Sequence, residues 1–398
     1  MFRSEEPRFL RTDEGHLVVF RHADLRALSV LSEIGCLPPA TLVGRRLEEG
    51  ETLQSSPTAW VFANQFFFAN EPIHAPLRRI MLDHFGPKPT LGFEALARAA
   101  VRELLEGLED GAKIDLMRDL TGPLMASFWG RLIGLTVAEI DQLALAVREM
   151  TPVNLFRWTP EQRRALDGVF TAYWKVLEEG GARTLAAGGN PTVSGLAAEL
   201  AKVHYPDDPN LAGVVPANVG AFLAGNIFDG LHTAGLGAAN TLFVLLRRPE
   251  AMAQVRAHPV RLAAAVSEAL RLEPPIVSLH RFALEDVTYD GFRIPKGMRL
   301  RMMWGAGNRD PSAFPDPDRF DLDRPHHGLT TFGSGTRICP GRFAASMVIR
   351  TLLEGLLEEG VDMEPLAESE DWWEGTQTAE LKAFPVRVRR RGASERGS

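Results

Sequence analysis

The stretch that decides the fold is Thr331–Ala344, which reads TFGSGTRICPGRFA. It places one cysteine, Cys339, among glycines and arginines and directly before an apolar run with helical spacing. That run predicts a helix, and the positive end of a helix dipole favours a thiolate over a thiol. The glycines lack a Cβ, so the loop backbone can lie close against a flat group. The residues themselves leave three roles open for the cysteine: a metal ligand, a nucleophile or a buried structural residue.

The composition narrows the class of protein. The chain has 398 residues, of which 45% are hydrophobic, and a formal net charge of −7. This acidic balance gives no reason to expect nucleic-acid binding. Two cysteines, Cys36 and Cys339, cannot build a disulfide framework or a cysteine-rich metal site, and their scarcity suits a reducing cytoplasm. The N-terminal residues form neither a signal peptide nor a membrane anchor, so we expect a cytoplasmic protein.

The pattern of apolar residues predicts a mainly helical chain with small β-sheets. A turn at Asp13–Gly15 separates two short apolar runs and predicts a hairpin near the N-terminus. Thr159 is expected to cap a helix that ends near Glu179, with Gly180–Gly181 and Gly188–Pro191 as hinges around a lid. Val214–Leu246 predicts an unusually long helix, although its glycines weaken it by about 1 kcal/mol each relative to alanine. We attribute these glycines to a flat group that presses on the helix.

Five residues of the opening stretch form the pattern FxxGxRxCxG: Phe332, Gly335, Arg337, Cys339 and Gly341. The pattern resembles the cysteine loop of the cytochrome P-450 (haem-thiolate) family, with no substitution at a signature position. The resemblance implies haem b as the cofactor and Cys339 as the axial ligand of its iron. It also implies that Phe332, Arg337 and Gly341 contact the haem.

The resemblance implies the cytochrome P-450 fold as well, mainly α with small β-sheets. The haem would lie between the long distal helix and the cysteine loop. One domain is expected over residues 1–388, followed by a basic flexible tail over residues 389–398. The helix that usually precedes the first hairpin in the family is missing or very short here.

Further motifs strengthen the resemblance. His74 and Arg78 are spaced i, i+4, which places both side chains on one helix face. They resemble the family's HxxxR pair, which binds a haem propionate, and Arg281 matches the family's other propionate-binding arginine. A planar guanidinium suits a carboxylate.

An ExxR motif lies upstream of the cysteine loop. It consists of Glu268 and Arg271, and Arg319 matches the third member of the family's Glu-Arg-Arg network. We expect these three residues to stabilise the fold rather than to take part in chemistry.

In the family, the long distal helix carries an acid and an alcohol that relay protons. The register set by Arg248–Pro249 places Asp229–Thr233 at this motif, with Thr233 as the alcohol and His232 in the place of the acid. His232 could relay protons near neutral pH, and Asp229 could orient either neighbour. The alternatives are a hydrogen bond from the Thr233 hydroxyl to the Asp229 carbonyl and a structural role for His232.

The resemblance implies a monooxygenase that inserts one oxygen atom from O₂ into a C–H or C=C bond of a hydrophobic small molecule. The segment Trp60–Phe68 is expected to form a loop over the substrate pocket. Phe67, Phe68, Ile276 and Val277 are the expected lining residues. No flavin or iron–sulfur motif is present, so a ferredoxin- or flavodoxin-type donor would supply electrons. The alternatives are a peroxide-using or O₂-independent haem-thiolate enzyme (peroxygenase, isomerase or dehydratase) and a non-catalytic haem sensor.

Overall fold

The structure is a computed structural model that describes residues 8–37, 51–52, 55–150, 153, 158–207, 218–366 and 370–391. It is mainly helical, as the sequence predicts. The α-helices span His22–Leu28, Pro57–Ala63, His74–Phe85, Pro87–Thr90, Glu94–Glu106, Gly122–Leu132, Val137–Glu149, Pro160–Ala187, Pro191–Leu200, Val219–Leu246, Pro249–Ala257, Leu262–Leu272, Trp304–Gly307 and Arg342–Glu358. Among the helices of these ranges, none combines the length and hydropathy that crossing a bilayer requires.

Ten short strands complete the described part of the chain. They are β1 (Leu10–Arg11), β2 (Leu17–Val19), β3 (Ile34–Gly35), β4 (Lys113–Asp115), β5 (Leu279–Ala283), β6 (Val287–Tyr289), β7 (Phe292–Ile294), β8 (Arg299–Met302), β9 (Val361–Pro365) and β10 (Pro385–Arg390). They form a five-stranded sheet in the order β1-β2-β8-β5-β3, a three-stranded sheet in the order β4-β10-β9, and the hairpin β6-β7.

The predicted N-terminal hairpin is confirmed, because β1 and β2 pair in antiparallel register with Leu10 opposite Val18. β2 also pairs in parallel with β8, so the start of the chain joins the sheet that contains Arg281. The predicted tail begins too early. Arg389 and Arg390 belong to β10, and the Arg390 side chain donates to the Leu108 carbonyl. Residues 1–7 and 392–398 lie outside the described residues.

The predicted long helix is present as Val219–Leu246, and residues 214–217 lie outside the described residues. We expected a flat bound group to press on the glycines of this helix, and this explanation is wrong for Gly225 and Gly230. A Cβ on Gly225 would lie 2.4 Å from the Asn64 carbonyl oxygen, and one on Gly230 would lie 2.8 Å from the Trp129 ring. These glycines allow neighbouring elements to approach the helix backbone closely.

The helix that begins after Thr159 is longer than predicted. The Thr159 side chain accepts from the Gln162 backbone N–H, and the Gln162 side chain accepts from the Thr159 N–H, which forms a capping box. The predicted end near Glu179 and the predicted break at Gly180–Gly181 are wrong, because the helix continues to Ala187. The chain does break at the second predicted segment, since Gly188 follows the helix and the next helix begins at Pro191. A Cβ on Gly180 would lie 2.4 Å from a Leu135 side-chain carbon, so the glycine permits close helix packing.

Candidate active site

A cavity of about 710 Å³ separates the long helix from the cysteine loop. Thr233 and Gly237 line it on the side of the long helix, and Cys339 and Gly341 line it on the opposite side. Its volume lies within the range of roughly 300–1,000 Å³ that is usual for ligand pockets. Two motifs that lie far apart in the sequence therefore meet at one cavity.

Cys339 is held by its own loop. Its backbone N–H donates to the Phe332 carbonyl over 2.9 Å, and helix Arg342–Glu358 begins three residues later. Burial raises the pKa of the Cys339 thiol to about 11, although the Gly341 N–H and the Arg342 guanidinium favour the thiolate. Burial therefore opposes the thiolate that the helix end and Arg342 favour. A coordinating metal would shift the balance, because it deprotonates a thiol outright.

Five arginines are among the described residues that line the cavity: Arg78, Arg163, Arg281, Arg299 and Arg337. Arg78, Arg281 and Arg337 are the three that the sequence motifs single out. Arg78 donates to the Ile338 carbonyl over 2.7 Å, and Arg281 donates to the His280 carbonyl over 2.9 Å. Arg337 donates to the Phe67 carbonyl and to the Asn70 side-chain oxygen.

No carboxylate within the described ranges forms an ion pair with any of these three arginines. Arg281 is only 6% exposed, and burial lowers its pKa. Unpaired charges are costly in such a place, so the wall favours an anionic ligand group.

His74 lies beside these arginines, as predicted, and lines the same cavity. Burial and the nearby Arg337 charge lower the pKa of His74 to about 4. The imidazole is therefore neutral at pH 7, and it can offer a hydrogen bond but no charge. Its Nδ1 lies 3.4 Å from a Glu71 carboxylate oxygen.

Thr233 and Asp229 line the cavity from the long helix. The Thr233 hydroxyl donates to the Asp229 backbone carbonyl, which is the alternative that the sequence left open. The Asp229 carboxyl instead accepts from Gln65 Nε2 over 3.0 Å. The expectation that the Asp229 side chain orients Thr233 or His232 is therefore wrong.

His232 is buried, and it is not among the described residues that line the cavity. Its Nε2 lies 3.7 Å from a Glu380 carboxylate oxygen. Successive residues of an α-helix point about 100° apart, so His232 faces away from the direction of Thr233. This placement contradicts a direct proton relay from His232 into the cavity.

The segment over the cavity is more regular than predicted. Trp60–Phe68 contains the end of helix Pro57–Ala63 and a 3₁₀ turn at Phe66–Phe68, rather than one loop. Phe67, Phe68 and Ile276 line the cavity, as expected.

Val277 is not part of the described cavity lining. Its side chain lies beside Gly305, where an added Cβ would be 3.4 Å from the Val277 side-chain carbons. Gln65 and Gln377 also line the cavity, and sequence reasoning missed both residues. The sequence feature that indicates a pocket at this position is the group of aromatic residues around Gln65.

Glu268 and Arg271 form the predicted bidentate ion pair, with both N–O distances at 2.8 Å and both side chains fully buried. The third partner is Arg324 rather than Arg319. Arg324 Nε donates to Glu268 over 3.1 Å, whereas the Arg319 side chain is 67% exposed and pairs with Asp321. Arg319 contributes its backbone carbonyl, which accepts from Arg271 and Arg324.

Comparison with known proteins decides the family. The family model Cytochrome P450 matches residues 151–360. The chain belongs to the cytochrome P450 family. It is 30% identical to biflaviolin synthase CYP158A1 of Streptomyces coelicolor over 80% of the chain and 75% of that protein. It is 29% identical to cytochrome P450 monooxygenase PikC of Streptomyces venezuelae over 81% of the chain and 75% of that protein.

The P450 fold is also confirmed by structure. The crystal structure of CalO2 matches 97% of this chain and 94% of its own chain, with a TM-score of 0.82 at 22% identity. At that level of identity the match establishes the fold alone. The family implies a haem cofactor, iron and a redox partner. The cavity residues fit a haem, because the chain places one thiol opposite the long helix and leaves three arginines without a carboxylate partner in the described wall.

Proposed function

We propose that this P450 is a monooxygenase that uses haem b to insert one oxygen atom from O₂ into a C–H or C=C bond of a hydrophobic small molecule. The observation that carries the proposal is the cavity itself, which has Cys339 on one side and Thr233 on the other. Bound haem would supply the oxygen chemistry, with a thiolate ligand that favours O–O cleavage. The protein would supply binding, orientation and protons.

Each group of residues has a distinct part in this proposal. Cys339 Sγ would hold the haem iron, and Phe332 and Gly341 line the cavity beside it. Arg78, Arg281 and Arg337 would bind the two propionates by charge, and neutral His74 would add a hydrogen bond. These roles are supported by the absence of carboxylate partners for the three arginines within the described ranges.

Thr233 would hold the proton that is delivered into the cavity. Its hydroxyl donates to the Asp229 carbonyl at rest and must rotate away from it to donate elsewhere. The aromatic wall excludes water from the substrate side, where Phe67, Phe68 and Ile276 lie. Glu268, Arg271 and Arg324 keep the frame of the site in place.

The electron donor is proposed to be a separate ferredoxin- or flavodoxin-type protein. Arg342 lies close to Arg78 and Cys339. Arg79 follows Arg78 in helix His74–Phe85, and its side chain is 84% exposed and pairs with Asp83 over 3.5 Å. An acidic donor would be attracted to such a surface, and salt would weaken the association. Arg79→Glu should slow reduction by the donor at low salt, and it should leave reduction by dithionite unchanged.

The decisive experiment is the absorption spectrum of the reduced, CO-bound protein. A haem-thiolate spectrum is expected for the wild type, and Cys339→Ser should abolish it. A wild type without porphyrin, or a Cys339→Ser protein with unaltered colour and reactivity, would refute the proposal. Thr233→Ala should then uncouple O₂ consumption from product formation, and unchanged coupling would exclude a proton role for Thr233.

One observation favours a second candidate, which is an enzyme that uses peroxide. His232 occupies the place of the family's acid, and it points towards Glu380 rather than into the cavity. An enzyme that starts from peroxide needs fewer delivered protons. Product formation with hydrogen peroxide and no electron donor, at a rate that Thr233→Ala does not lower, would favour this candidate over the monooxygenase.

A further inference from the structure

The segment Asn64–Phe66 is fastened to the long helix by side-chain hydrogen bonds. Asn226 donates to the Asn64 carbonyl over 3.1 Å and accepts from the Phe66 N–H over 3.0 Å. Gly225 allows this contact, since a Cβ there would meet the Asn64 backbone at 2.4 Å. The residue between the two held positions, Gln65, is thereby fixed above the cavity.

Gln65 in turn positions a carboxyl group. Its Nε2 donates to Asp229 Oδ1 over 3.0 Å, and Gln65 itself is only 5% exposed. Asp229 Oδ2 has no hydrogen-bond partner among the described residues, and Asp229 lines the cavity. One oxygen of the carboxyl is therefore occupied, and the other is available to a ligand.

The surroundings of Asp229 make this acceptor distinctive. Among the described lining residues Asp229 is the only acid, and its neighbours in the wall are aromatic: Phe62, Phe66, Phe68, Trp129 and Phe228. Burial raises the pKa of Asp229 to about 7, and no cation is paired with it. Asn226 bonds to the chain on both sides of Gln65, and the Thr233 hydroxyl bonds to the Asp229 carbonyl. Two other acceptors in this segment, Gln65 Oε1 and Asn64 Oδ1, have no hydrogen-bond partner among the described residues, but both atoms are buried away from the cavity surface.

We propose that Asp229, held by Gln65, is a specificity residue that recognises a hydroxyl group on an otherwise apolar or aromatic substrate. A neutral hydroxyl suits this site better than a cationic amine, because transfer of an ammonium charge from water into a wall of aromatic residues costs far more than transfer of a hydroxyl. A site that offers a buried acceptor rejects a ligand that lacks the matching donor, because the acceptor is then left unpaired. The inference rests on the proposed function, since the substrate must bind on the long-helix side of a bound haem.

The test uses haem-loaded protein and three matched probes: 2-naphthol, its methyl ether and naphthalene. The ether keeps the oxygen but has no donor, so it separates donation from polarity. Dissociation constants are measured by calorimetry and by the spin-state shift. We expect the wild type to bind the naphthol about tenfold more tightly than the ether, which corresponds to one good hydrogen bond of about 1.4 kcal/mol.

Two variants and one control complete the design. Asp229→Asn keeps the shape and the bond from Gln65 but presents an N–H₂ donor at the position of Oδ2, so the naphthol preference should fall to within about twofold. Asp229→Leu should do the same without offering any polar group. Phe68→Leu also changes the wall, but it should shift all three constants by the same factor.

Failure of the inference is distinguishable from failure of the proposed function. A protein without a haem-thiolate spectrum refutes the proposed function before any probe is added. Where that spectrum is present, three results would overturn the inference: equal affinity of the wild type for naphthol and ether, a preference that survives in Asp229→Asn, or a wild type that takes up none of the probes.

Discussion

Replacement of Arg324 by alanine should destabilise the protein far more than the same change at Arg319. Arg324 donates to the Glu268 carboxylate and to the backbone carbonyls of Pro315, Asp316 and Arg319. A hydrogen bond to a charged group contributes about 1.5–3 kcal/mol and each neutral bond about 1 kcal/mol. The four bonds would sum to about 4.5–6 kcal/mol. Removal of one partner from a buried ion pair costs about 3–5 kcal/mol, and this lower range applies here because Arg271 still pairs with Glu268. We therefore expect Arg324→Ala to lower the free energy of unfolding by about 3–5 kcal/mol.

Arg319→Ala is the matched control. It removes an exposed pair with Asp321 and should cost less than about 1 kcal/mol. Urea unfolding of both variants, followed by far-ultraviolet circular dichroism at constant haem loading, measures the difference. Equal losses in the two variants would refute the assignment of Arg324 to the network. A larger loss in Arg319→Ala would restore the prediction made from the sequence motif.

The dependence of the Arg324→Ala effect on pH provides a second check. Burial raises the pKa of Glu268, but hydrogen bonds from Arg271 and His326 outweigh it and lower this pKa from 4.5 to about 2. Arg324 Nε donates to the same carboxylate over 3.1 Å. A carboxyl group whose pKa is lower in the folded state than in the unfolded state stabilises the protein. This contribution is complete above the pKa of the group in the unfolded state, and it is lost as the pH falls towards the pKa in the folded state. The difference between wild type and Arg324→Ala should therefore be constant above pH 4.5 and shrink as the pH falls towards 2. A difference that grows in acid would contradict this electrostatic account.

Two further predictions concern the long helix. Burial raises the pKa of Asp229 from 3.8 to about 7, so the folded protein disfavours the ionised carboxylate at pH values above 7. Asp229→Asn removes this cost. It should therefore stabilise the protein at pH 8 by up to about 4 kcal/mol but hardly at pH 4. Thermal unfolding at both values tests this, and equal gains at pH 4 and pH 8 would contradict it. Gly225→Ala should cost at least about 1–3 kcal/mol, because its Cβ would lie 2.4 Å from the Asn64 carbonyl oxygen. Gly237→Ala is the control, since its Cβ would meet only side-chain atoms at 3.3 Å or more. Urea unfolding of both variants measures the difference. Equal losses of stability would contradict the explanation that Gly225 is needed for close approach of the Asn64 backbone.

The sequence alone was sufficient for the family, the fold class and most of the cysteine side of the cavity. The cysteine loop is a local motif, and its residues reach the cavity together because they are close in sequence. The ExxR pair is also local, and it forms as predicted. Local spacing therefore predicted local geometry correctly.

Predictions that depended on the direction of a single side chain were less successful. His232 and Thr233 are adjacent, and a helical step of about 100° sends the histidine towards Glu380. A helical projection from the sequence would have raised this doubt, but it could not have named Glu380. The sequence indicates Arg319 because it matches the family's Glu-Arg-Arg network, whereas the fold brings the later Arg324 to Glu268.

The predictions made from the glycines of the two long helices were wrong for a different reason. A glycine inside a helix signals that something lies close, but the sequence does not say what. In Pro160–Ala187 the neighbour of Gly180 is a leucine, and in Val219–Leu246 the neighbour of Gly225 is the backbone at Asn64. The identity of the contacting partner depends on the tertiary structure.

The bonds from Asn226 reach only main-chain atoms, namely the Asn64 carbonyl and the Phe66 amide. The attachment therefore does not depend on which side chains the held segment carries. Selection, natural or in the laboratory, can exchange the residues that face the substrate and still keep the segment anchored. A library that randomises positions 65, 67 and 68 while it retains Gly225 and Asn226 would explore new substrate preferences on an unchanged scaffold.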